Sequence, residues 1–168
     1  YYWEFDDGLI VYRIVSNIIS GNGWAYNPGE AHNASTSVLN TVLIAVLAWT
    51  KLVSIPTSAH IVNALSILAA GYLFFSALVQ RFGQSLGLIG GLGLVFVLAE
   101  NATWGLETNL FIALILYFIH LEIKQQNSWP CLALITLTRP DGVLIAGLKW
   151  LREFRHSRSL SLKGVLQF

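Results

Sequence analysis

Asp6-Asp7-Gly8-Leu9-Ile10-Val11-Tyr12-Arg13 begins the first readable element of the chain, and how that element is laid down decides the fold. From Gly8 to Ser20 the polar positions are Arg13, Ser16, Asn17 and Ser20, spaced i, i+3, i+4, i+7. Val11, Ile14, Val15, Ile18 and Ile19 fill the opposite face. The spacing predicts an amphipathic helix of about 12 residues, too short to span a bilayer and suited to lying in its interface. Asp6 and Asp7 stand at its N-terminus, where the helix dipole favours negative charge. Capping alone would account for one Asp; a tandem pair beside Trp3, Glu4 and Phe5 points to chemistry as well.

The helix leads into Gly21-Asn22-Gly23-Trp24-Ala25-Tyr26-Asn27-Pro28-Gly29-Glu30, a polar and turn-rich loop with a tight turn predicted at Asn27-Pro28-Gly29. The loop continues to Thr36, longer than most connections, which favours a binding loop or an ordered flap. Almost everything beyond it is hydrocarbon-like. Of 168 residues, 55% are hydrophobic and 11% charged, against about a quarter charged in a typical soluble domain. With a mean hydropathy of +0.61, the chain reads as an integral membrane protein. The net charge of +1 makes no case for nucleic acid, and the single Cys131 excludes a disulfide framework and a multi-thiolate metal site. Met is absent, and the chain starts inside a polar motif and stops just past a basic run. We expect a piece of a longer protein forming one membrane-embedded unit, 1–168. Within it, 1–58 is an external loop with juxtamembrane helices, 59–151 holds the transmembrane helices, and 152–168 is a basic cytoplasmic segment.

Hydrophobic segments are expected over residues 37–55, 59–79, 86–99, 108–123 and 129–151. If the first lies as a second juxtamembrane helix on the outer side, Arg81, Lys124, Arg152, Arg155, Arg158 and Lys163 all fall inside. If it spans, Arg81 and Lys124 move outside. The positive-inside rule prefers the first arrangement, which also puts Asp6, Asp7 and Glu107 on one outer side. The fold class expected is therefore all-α, a polytopic transmembrane helical bundle with amphipathic juxtamembrane helices in its first external loop.

Gly87, Gly90, Gly91 and Gly93 allow close helix contact and form no phosphate loop. Glu100 to Thr108 is a polar insert between two apolar runs, and Glu107 becomes a functional candidate if it faces the same cavity as the paired acids. The last hydrophobic stretch is broken by Thr138-Arg139-Pro140-Asp141-Gly142. An Arg within such a stretch is unfavourable unless paired or facing water, and Pro140 and Gly142 break the helix there. Half-helices of about ten residues reach about 15 Å each and would set Arg139 at the floor of a cavity. Two readings stand: an Arg139–Asp141 pair that holds a kink, or an anion-binding Arg139.

The order and spacing of "DDGLIVYR…N…G…NPGE…TS", "GLETNLF" and "LTRPDG" resemble the GT-C membrane glycosyltransferases. The likeness is to bacterial members that use a polyprenyl-phosphate sugar donor, including mycobacterial arabinofuranosyltransferases, and more distantly to protein O-mannosyltransferases. The resemblance implies that Asp6-Asp7 is the acidic pair of the first external loop. One of them, with the family pattern favouring Asp6, would act as general base on the acceptor hydroxyl. It implies a second acid at Glu107 and a basic group at Arg139 placed to meet the lipid phosphate. In some members the acids help to hold a divalent cation (Mg or Mn), so Asp6, Asp7 and Glu107 are the metal-ligand candidates. Arg13, Asn27, His32, Arg139 and Asp141 are assigned to substrate binding.

The function expected is inverting transfer of a sugar from a polyprenyl-phosphate donor to a hydroxyl of a glycan, lipid or protein acceptor. It would take place at the outer (periplasmic) face of a bacterial inner membrane, among membrane lipids and without nucleic acid. Such a transfer needs a base near the acceptor oxygen and a group that stabilises charge on the departing phosphate. The reading from another class is a transporter or lipid-linked sugar flippase, where broken helices line a substrate path. The absence of an inverted repeat and the clustering of acids at one surface weigh against it.

Overall fold

The computed structural model describes residues 6–30, 35–100 and 105–165, with side chains described to residue 155 and Asp6 excepted. Among these the chain is all-α. The helices are α1 (Asp6–Ile19), α2 (Val38–Trp49), α3 (Ile55–Phe82), α4 (Gln84–Ala99), α5 (Thr108–Ile123), α6 (Trp129–Thr138) and α7 (Val143–Val165), with a 3-10 turn over Pro140–Gly142 between the last two.

The first two helices follow from their patterns. Val11, Ile14 and Val15 of α1 are buried, and Val11, Tyr12 and Val15 pack with Ile44, Ala45 and Ala48 of α2 and Ala59 and Val62 of α3. The α1 side on which the polar residues recur is only partly wet. Asn17 is buried because the following loop folds back over it, and its Nδ2 donates to the carbonyls of Ala25 (2.7 Å) and Tyr26 (2.9 Å). At 12 residues, α2 is shorter than the apolar stretch that contains it. It ends at Thr50, whose N–H and hydroxyl both fold back on the last turn, and Lys51 adopts a positive φ of 58°.

Ser54 caps α3, its side chain accepting from the Thr57 N–H at 3.3 Å, with Pro56 in the first turn where its missing donor is harmless. Its 28 residues reach about 42 Å, and among the described residues α3 is the one helix long and apolar enough to cross a membrane. Gly83, with φ of 87°, is the only residue between α3 and α4 and lets the chain reverse there. The two helices then pack at glycine distance. A Cβ on Gly91 would lie 2.9 Å from the Phe75 Cβ and 3.1 Å from the Gly71 carbonyl oxygen, and one on Gly87 would lie 2.4 Å from a Val79 methyl. The glycine-rich run is thus a packing seam. Gly93 is the exception: nothing lies within 4 Å of where its Cβ would be.

Away from that seam the flanks of α3 and α4 are apolar and exposed, with Leu65, Leu68, Leu88, Ile89, Leu92 and Phe96 each more than half exposed. An apolar belt of this extent is the surface expected of a helix pair facing hydrocarbon.

In the final stretch α6 packs on α5 through Cys131, Leu132 and Ile135, and the Cys131 thiol donates to the Leu114 carbonyl at 3.4 Å. The chain then reverses at the 3-10 turn. By Lys149 it has returned to the level of Trp129, the first residue of α6, with Nζ 5.6 Å from that ring's centroid. Residues 129–151 therefore form a helical hairpin, the second arm returning alongside the first. The reversal is tight at Gly142, where a Cβ would sit 2.7 Å from an Ile135 methyl and 3.0 Å from the Ile135 carbonyl. The basic end is continuous with this element: α7 runs unbroken through residue 152, so no boundary in secondary structure falls there.

Candidate functional site

Three pieces of chain come to one end of the bundle, the segment at the head of α5 touching each of the other two. The first is the start of α1. Asp6 is its first residue and Asp7, in its first turn, is exposed. The second is the segment that enters α5. Gly105 has φ of 67°, and a Cβ there would lie 2.8 Å from the Tyr12 hydroxyl and 3.4 Å from the Gly8 Cα. The loop is thus in contact with α1 one residue after Asp7, and only glycine fits the contact. Two residues on, half-buried Glu107 stands at the N-cap position of α5 without a side-chain capping bond, and its carbonyl accepts from the Phe111 N–H at 2.9 Å.

The third piece is the tip of the α6–α7 hairpin. Arg139, in extended conformation after α6, places its guanidinium carbon 5.0 Å from the centroid of the Phe111 ring. Phe111 is one turn into α5 from Glu107, so Arg139 lies near the acid-bearing end and far from the basic end of α7. The guanidinium also grips Asp141, with Nε donating to Oδ1 at 3.3 Å and Nη2 to Oδ2 at 3.0 Å. Both side chains stay open to solvent, 38% and 50% exposed. The kink-holding pair exists, and it leaves three of the five guanidinium N–H groups to spare.

The remaining candidates are dispersed along the ledge. Arg13 is exposed and its Nε donates to the Tyr26 carbonyl at 3.4 Å, so it helps Asn17 tie the loop to α1. Asn27 donates to the Glu30 carboxylate at 3.0 Å across the predicted turn. His32 lies outside the described residues. Among the described residues no three His, Cys, Asp or Glu side chains converge as metal ligands; of the candidate set Asp6, Asp7 and Glu107, the Asp6 side chain lies outside those described.

Two features escape a reading by composition. Asn17 looks like a surface residue of an amphipathic helix and is instead the loop's anchor; the signal was the run of loop carbonyls with no strand to pair them. Beneath Glu107, Asn109 donates to the Asn63 Oδ1 at 3.2 Å, joining α5 to α3 in the interior. Asn63 and Asn109 are 2% and 1% exposed. Beside this pair an apolar groove of about 440 Å3 runs between α2, α3 and α5, lined by Val46, Val62, Leu65, Leu110, Ala113 and Tyr117 among others.

The chain is similar to two proteins named terminal beta-(1->2)-arabinofuranosyltransferase. With that of Corynebacterium glutamicum it is 33% identical over 119 residues, 56% of this chain and 17% of the relative. With that of Mycobacterium tuberculosis it is 49% identical over 47 residues, 28% of this chain and 8% of the relative. The matched part is thus less than a fifth of either relative's length. No family model matches the chain, and no solved structure does. The likeness supports a glycosyltransferase over part of the chain.

Proposed function

We propose that this chain is part of a GT-C-type membrane glycosyltransferase, taking a sugar, an arabinofuranose by analogy with its relatives, from a polyprenyl-phosphate donor. One observation carries the proposal: Arg139 lies on Phe111, one turn from Glu107, at the end of the bundle where α1 begins with Asp6 and Asp7. A cation for a phosphate and carboxylates for a hydroxyl proton are thus brought to one wet end of the bundle.

In the reaction proposed, the acceptor hydroxyl oxygen attacks the anomeric carbon as Asp6 or Asp7 takes its proton. The bond between that carbon and the phosphate oxygen breaks, and polyprenyl phosphate departs with the electron pair. The configuration inverts because attack and departure are on opposite faces. Asp141 holds the Nε and Nη2 side of the Arg139 guanidinium, so the Nη1 side can face the phosphate as its charge grows. Glu107, half-buried at the head of α5, is suited to orient a sugar hydroxyl. The groove that begins at Leu110, in the same turn as Phe111, suits a prenyl chain.

A second reading, passage of a lipid-linked sugar across the membrane, has the α6–α7 hairpin in its favour. Radiolabelled polyprenyl-phosphate arabinofuranose, an oligosaccharide acceptor and the full-length protein in vesicles separate the two. The transferase reading expects labelled acceptor from the wild type and at least about a hundredfold less from an Asp6→Asn/Asp7→Asn variant that inserts normally. Labelled donor crossing the bilayer without glycosylated product would establish the flippase instead.

A further inference from the structure

The hairpin that carries Arg139 is fastened at its opposite end by a cluster the transfer chemistry does not use. Glu122, in the last turn of α5, accepts from the Lys149 ammonium at 2.7 Å and from the Ser128 hydroxyl at 2.5 Å, and its other oxygen meets the Arg152 guanidinium. The Glu122 and Lys149 side chains are 16% and 8% exposed, and Lys149 also meets Glu153 at 2.8 Å. Ser128 immediately precedes α6 while Lys149 and Arg152 lie on α7, so one carboxylate of α5 holds both arms of the hairpin.

Apart from the weak Cys131–Leu114 bond and the Arg139–Phe111 contact at the tip, the rest of that interface does little to fix the hairpin's height. It is built from Leu114, Ile115, Phe118 and Leu121 on α5 against Leu132, Ile135 and Ile145 on the hairpin. Apolar side chains that recur every turn pack almost as well after a slip of one turn, about 5.4 Å. The Glu122–Lys149 pair does not, because a slip leaves these two charges unpaired where little water reaches them. With α6 as a rigid strut of ten residues, the position of Glu122 sets that of the strut's far end, where Arg139 meets Phe111.

We propose that Glu122 is a positioning residue: its clamp on Lys149, Arg152 and Ser128 sets the depth at which Arg139 is presented to the donor's phosphate. The inference rests on the transferase reading only for that last step, and its test separates the two. In the full-length protein, with its native cysteines, Cys131 included, replaced by Ser, a spin label at Val143→Cys reports the depth of the hairpin tip from its collision rates with oxygen and with a water-soluble nickel chelate. Glu122→Gln and Lys149→Met are each expected to shift that depth, and the double variant is expected to shift it no further than either alone, because both open one clamp. Glu122→Asp, which keeps the charge, should restore much of the wild-type depth and covers the case in which the neutral variant inserts poorly. In transfer assays the KM for the donor should rise about tenfold in Glu122→Gln while the KM for the acceptor stays unchanged, a split that a loss of folded protein would not produce. An unchanged label depth, or additive shifts from the two variants, overturns the clamp. A shifted label with an unchanged donor KM leaves the clamp standing and overturns the assignment of Arg139 to the phosphate.

Discussion

Arg139 is the residue on which charge and place conflict most, and the structure resolves the conflict with two partners of different kinds. Asp141 takes two of the guanidinium's five donors, and the Phe111 face takes part of its charge. The result is a cation that is held in position and still accessible. Arg139→Ala should lower transfer about a hundredfold or more, as expected when a donor to developing charge is removed. Arg139→Lys should recover only part of it, since an ammonium cannot bridge Asp141 and a phosphate in the same planar way. Both are read by steady-state kinetics at equal membrane content. Asn17 acts on a different property. Its amide satisfies two loop carbonyls from a buried position, so Asn17→Leu should destabilise the fold by about 1–3 kcal/mol, seen as a lower thermal midpoint in detergent and faster proteolysis within 21–30.

At the scale of elements, glycines decide which helices can meet. Gly105 joins the second loop to α1 with a positive φ and no room for a Cβ. Gly105→Ala should therefore separate the two acid-bearing segments and depress transfer more than it lowers thermal stability. Gly142 does the equivalent for the hairpin turn, and Gly142→Ala, overpacked against the Ile135 backbone, should lower stability by about 1–3 kcal/mol. The Asn63–Asn109 bond offers a contrast. Replacing one Asn by Leu leaves a buried amide without its partner and should lower the thermal midpoint, whereas replacing both should come close to neutral.

Much of this was legible in the chain and some was not, for reasons tied to particular residues. The period of Val11, Ile14 and Val15 gave α1, and the clustering of Gly87, Gly90 and Gly91 gave a packing seam, because helical spacing and small size are local properties. The break at Arg139-Pro140 was equally plain. The direction of the chain after the break was not: a half-helix that turns back and one that continues read alike until Lys149 is seen beside Trp129. Glu122 was invisible for a related reason. A lone acid near the end of an apolar run looks like an interface marker, and its partners lie as many as 30 residues away in the chain. At the site, Arg139–Asp141 could be proposed from adjacency, but the stacking on Phe111 joins two elements that no local pattern connects.

For the molecule as a whole the account is one of polarity between two ends. Asp7, Gly105, Glu107 and Arg139 gather at one, and Glu122, Lys149, Arg152 and Arg155 at the other, with an apolar belt on α3 and α4 between them. The transfer proposed above, with a lipid-borne donor reached sideways and a polar acceptor taken from the water, needs such an arrangement. The most direct measurement is the labelling of single cysteines at Asp7→Cys and Arg139→Cys, each in a background with the native cysteines, Cys131 included, replaced by Ser, by a membrane-impermeant maleimide applied to intact cells expressing the full-length protein. The account predicts that both positions react from the outside, without permeabilisation. Reaction at 7 from the outside with reaction at 139 only after the inner face is opened would contradict it.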